Sequence, residues 1–177
     1  MRLPAPTRRL FLVVWAAGAA LLQMAWSRYG ELLQDRGEGG ALWALSAMMI
    51  ALPWAVGPGL LLLLRRMPSG GVNLPHAEYW FGAERRAASL ERLAPYLDVM
   101  ALLLNVFLAA VLVLFVTERT EPVVMVYSGL MFLGLVMAFL GGTVLWTRAV
   151  MRAFPAPDPS TRGRLVLRSR RPGRPRR

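Results

Sequence analysis

The chain has 177 residues, 56% of them hydrophobic, and a formal net charge of +11. With no cysteine and a single histidine, it excludes disulfides, thiolate metal sites and multi-histidine centres. So basic a charge suggests nucleic acid in a soluble protein, but here the apolar residues come in long unbroken runs. The charge therefore reads as the arginine bias of a membrane protein beside anionic lipid.

Four apolar runs set the organisation: residues 10–26, 41–64, 97–116 and 123–146. Each is long enough, at ~1.5 Å per residue, to cross a hydrocarbon core of ~30 Å, the first only just. Backbone groups in lipid must be satisfied within the segment, and a β-barrel would show alternation, so the runs are predicted to be helices. The fold class expected is all-α: a polytopic membrane protein with four transmembrane helices, forming one domain over residues 1–154. The first run has a second reading, a cleaved signal peptide, because Arg8 and Arg9 precede it. Its continuation to Trp26 without a small-x-small cleavage site favours a retained span.

The second run contains Pro53 and then Gly57-Pro58-Gly59, which predicts a kink. Gly18 in the first run and Gly129, Gly134, Gly141 and Gly142 in the fourth allow close helix approach, within the chain or between copies in a homo-oligomer.

Arginine sets the orientation. Eighteen of the 21 basic residues, all of them arginine, lie before the first run, between the second and third, or after the fourth; three lie in the other two connections. Both termini and the connection 65–96 are therefore expected in the cytoplasm. The exclusive use of arginine, with abundant Ala, Gly and Pro, matches high-GC coding and points to a bacterial cytoplasmic membrane. The tail, residues 155–177, is rich in arginine and proline and is expected to be disordered, to meet anionic lipid headgroups, and to bind no specific nucleic acid.

The connection 65–96 opens on Pro68-Ser69-Gly70-Gly71 and becomes aromatic at Tyr79, Trp80 and Phe81. From Ala83 to Leu97 the apolar residues recur on one face with arginines elsewhere. This predicts an amphipathic helix lying in the inner interface before the third span, bent at Pro95.

No metal-ligand spacing, glycine-rich phosphate loop or serine nucleophile elbow occurs. The chain reads as non-enzymatic, with no cofactor and no metal. Asp98 and Asn105, seven residues apart, share a face of the third span, Asn105 ~10 Å deeper. An intramembrane carboxylate is a functional candidate by default. The other reading pairs Asp98 with Arg92 or Arg148 at a helix interface.

Residues 73–86, with Asn73 and Pro75 as an Asn-x-Pro, Tyr79-Trp80 as a Tyr-Trp, and Glu84-Arg85-Arg86, resemble a segment of a bacterial membrane family related to the SdpI-type toxin-immunity proteins. In that family these motifs recur between the second and third spans. The chain departs from the pattern after the first span, where residues 23–43 lack His and Pro. The resemblance implies an accessory, immunity or signalling role with a protein partner at the cytoplasmic face. The alternative is a small oligomeric transporter or channel subunit using Asp98 and Asn105.

Overall fold

A computed structural model describes residues 6–72, 76–120 and 122–156, the side chains of 122–125 excepted. Asn73 and Pro75 lie outside the described residues, as does the tail from residue 157. Helix α1 spans Pro6–Asp35, α2 Gly39–Trp54, α3 Leu60–Arg66, α4 Ala77–Trp80, α5 Arg86–Thr120 and α6 Pro122–Ala153. No strand occurs among the described residues. Four helical stretches are long and apolar enough to cross a membrane, and the protein is an all-α, polytopic, multi-pass membrane protein.

The second span is one continuous stretch, Gly39–Arg66, with a π-helical turn over Ala55–Gly59 joining α2 to α3. The cause is Pro58, which has no N–H to close the α-helical ring. The ladder widens instead, and the Leu60 N–H reaches back to the Ala55 carbonyl. Pro53 sits inside α2 and is buried. The kink expected of these residues is thus taken up as a bulge within the span.

Helix α1 ends where Gly37 adopts the left-handed conformation, φ +75°. Its N–H donates to the Gln34 carbonyl at 2.9 Å, and the next N–H, of Glu38, donates to the Leu33 carbonyl at 2.8 Å. This pair of bonds satisfies the last carbonyls of α1 and reverses the chain directly into α2.

The run before the third span is helical and belongs to α5. Pro95 lies inside an unbroken helix of 35 residues and ends nothing. At ~1.5 Å per residue α5 is roughly 50 Å long, well beyond the ~30 Å of a hydrocarbon core, so its first turns project past the span. The face it buries there is Ser89, Leu90, Leu93 and Leu97, whereas Ala83 and Ala87 are exposed.

Helix α5 is the centre of the bundle. It packs against α1, α2, α3 and α6, while α6 packs mainly along α5. Two apolar clusters result. One lies at the end where α3 stops and α5 begins, where Leu64, Phe81, Leu90, Leu93, Leu97, Val150 and Phe154 meet. The other lies toward the opposite end, where α1, α2 and α5 contribute Leu22, Leu33, Leu42, Met49, Leu108 and Leu112. Between them along α5 come Asp98, Ala101 and Asn105, all buried. The glycines of α6 are mostly unused within the chain: a Cβ at Gly129, Gly134 or Gly141 would meet nothing within 4 Å, and only Gly142 faces a neighbour, Leu103.

Candidate functional site

Two groupings come first: an aromatic cap at the end of the bundle where α3 stops and α5 begins, and a polar line through the bundle. The cap is built from the middle connection. Phe81 is fully buried and stacks on Phe154, ring centroids 6.2 Å apart, where α6 has just ended. Burying a phenylalanine contributes roughly 1.5–3 kcal/mol toward holding the connection against the helix ends. Trp80 meets Phe154 edge to face at 5.5 Å and Tyr79 at 5.0 Å. Backbone carbonyls then become acceptors. The Trp80 indole N–H donates to the Pro155 carbonyl at 3.2 Å, and the Ser89 hydroxyl donates to the Trp80 carbonyl at 2.6 Å. Arg86 donates through Nε to the Phe81 carbonyl at 3.2 Å.

Cations lie over this surface. The Arg85 guanidinium sits 4.1 Å from the centre of the Tyr79 ring, and Arg92 lies 5.8 Å from Trp80 and 5.9 Å from Phe154. Such contacts are worth ~0.5–1 kcal/mol at exposed sites. Glu84 is exposed on the same segment. Of the sequence-predicted loop residues, the structure therefore gathers Tyr79, Trp80, Arg85 and Arg86 around one cap. His76, at the start of α4, holds a left-handed backbone, φ 57°, that nothing in the sequence signals.

The polar line corrects the expected pairing of Asp98. Its partner is neither Arg92, which lies over the cap aromatics, nor Arg148. It is Arg8 of α1, Nη1 to Oδ1 3.3 Å. Asp98 is 3% exposed and Arg8 22%. The reason is the length of α1, which begins at Pro6, before the apolar run itself. Its first turn lies against the first part of α5, whereas the end of α6 beside it is occupied by the cap. Two turns further along α5, Asn105 is 1% exposed, and among the described residues its amide N and O have no hydrogen-bond partner. Ser46, buried on α2, is satisfied: it donates to the Leu42 carbonyl at 2.6 Å and accepts from the Trp26 indole at 3.0 Å.

Among the described residues no three His, Asp or Glu side chains come together as a metal-holding group. No known protein family, curated protein or solved structure matches the chain. Its site is therefore read from its own geometry.

A third grouping lies at the other end of the bundle, where α1 turns into α2 and α5 into α6. Arg119 binds Glu38 at 2.7 Å and Glu118 at 2.8 Å, and lies over the Phe115 ring at 4.1 Å. The Ser128 hydroxyl donates to Glu118 at 3.1 Å, and Arg36 donates to the Arg119 carbonyl at 3.0 Å. These groups are a quarter to a third exposed, so each pair is weak alone. Together they tie the α1–α2 connection to the α5–α6 connection. The signal available in the sequence was the opposite charges of Glu38 and Arg119, one in each connection.

Proposed function

We propose that the chain is a non-enzymatic accessory protein of the bacterial cytoplasmic membrane. It is of the immunity or signalling kind suggested by the resemblance of residues 73–86 to the SdpI-type family. It acts through its middle connection on a protein partner in the cytoplasm. The observation that carries this reading is the cap. Tyr79 and Trp80 are only partly buried and keep aromatic surface at the protein's edge, with Arg85 and Arg92 laid over them. Aromatic and arginine side chains held rigid on a folded support are the residues that anchor protein interfaces. Asp98, the group a transport pathway would need, is engaged instead with Arg8 between α1 and α5.

The orientation is testable because the chain has no cysteine. Gly40 and Gly70 are exposed, and a Cβ at either meets nothing within 4 Å. In intact spheroplasts, a membrane-impermeant maleimide is expected to label Gly40→Cys at once and Gly70→Cys only after permeabilisation. The reverse pattern would place the cap outside and end the proposal.

The partner is tested by a photo-crosslinking phenylalanine analogue at Tyr79, compared with one at Trp43, which is 65% exposed on α2. The expected result in native membranes is a discrete protein adduct from position 79 that Arg85→Ala abolishes, and none from position 43. Equal adducts from both positions, or none from position 79, would sink the cap's role.

A further inference from the structure

Where α3 ends and α5 begins, the two helices leave an open groove of about 490 Å³. Leu61, Leu90 and Ala94 line its apolar part, and Arg65, Arg86 and Glu91 its charged part. Leu61 lies near the end of the second apolar run, 41–64, and Arg65 just beyond it, while Arg86, Leu90, Glu91 and Ala94 precede the third run, 97–116. The groove therefore lies where the apolar runs end, the level at which hydrocarbon gives way to headgroups. Whatever fills it must be apolar at one end and charged at the other.

The charges narrow the choice further. Arg86 is held by two carbonyls, that of Phe81 through Nε at 3.2 Å and that of Arg65 through Nη1 at 3.4 Å, so its guanidinium is fixed with N–H groups to spare. The Arg65 and Glu91 side chains are exposed, and neither forms an ion pair among the described residues. Two opposite charges share a groove without joining.

We propose that this groove binds a glycerophospholipid whose head group carries both a phosphate and an ammonium. The phosphate sits on Arg65 and Arg86, whose planar forks suit its oxygens. The ammonium reaches Glu91, and an acyl chain lies along Leu61, Leu90 and Ala94. This inference does not depend on any protein partner of the cap.

The test is native mass spectrometry of the full chain in mild detergent after exchange with vesicles of equal phosphatidylethanolamine and phosphatidylglycerol. The wild-type chain is expected to retain the ammonium lipid over the other by about tenfold, a difference one charged contact can supply. Arg65→Gln should lower retention of both lipids. Glu91→Gln should remove the preference and leave total retention unchanged. Arg9→Gln, an exposed arginine on α1 outside the groove, should do neither. Matching unchanged profiles for Arg65→Gln and Arg9→Gln would overturn the site. Equal retention of the two lipids by the wild-type chain would overturn the head-group assignment.

Discussion

Replacing Arg8 with glutamine is expected to lower the stability of the bundle by about 2–3 kcal/mol, and adding Asp98→Asn should recover most of the loss. The asymmetry follows from burial. Asp98 is 3% exposed, and its ion-pair partner among the described residues is Arg8, 3.3 Å away. Removing that cation leaves a carboxylate without a counter-charge between two helices, which costs ~3–5 kcal/mol where both groups are fully buried. Arg8 is 22% exposed, so water already shares part of its charge and the cost falls toward the lower figure. Asp98→Asn alone should cost less than Arg8→Gln, because the long Arg8 side chain can turn to the interface and solvate itself. Unfolding of the purified variants in mixed micelles of rising dodecyl sulfate measures all four corners of the cycle. Additive single and double variants would show that the two groups do not interact.

What the sequence made legible here was the part governed by solvent. Long apolar runs read as spans because the bilayer rejects charge and bare backbone, and the four helices bear that reading out. The cap was legible as a composition, aromatic and basic, but not as a folded object. Its closing partner, Phe154, lies more than 70 residues on, and no local pattern links it to Phe81. The partner of Asp98 was misread for a related reason. Arg92 is near in sequence and Arg148 ends the fourth span, whereas Arg8 wins because α1 packs along α5 and starts early enough to bring that arginine level with the carboxylate. At Pro95 the missing N–H costs one hydrogen bond in a helix of 35 residues held on several sides, and the helix continues through it. The network around Arg119 is not legible in the sequence, because Glu38 and Arg119 look like ordinary charges until the bundle sets them side by side.

Gly18 and Asn105 meet closely within that bundle, and their contact leads to the second large effect. A Cβ built on Gly18 would stand 2.9 Å from Asn105 Oδ1 and 2.9 Å from Met49 Cε, both too close to coexist with it. Met49 ends in a flexible thioether that can swing aside. Asn105 cannot, since it is 1% exposed and enclosed by α1, α2 and α5. Gly18→Val is therefore expected to push α1 from α5 and destabilise the chain by about 2–3 kcal/mol in the same micelle assay. The informative partner is Asn105→Ala. It removes an amide whose nitrogen and oxygen are both buried without hydrogen bonds, which offsets the packing it gives up, so its own effect should be within about 1 kcal/mol of zero. It also clears the space that the valine needs. Gly18→Val in the Asn105→Ala background should then cost less than half of what it costs in the wild-type chain. Equal costs in both backgrounds would mean that some other neighbour sets the approach of α1 to α5, and that Asn105 is not the reason residue 18 must be glycine.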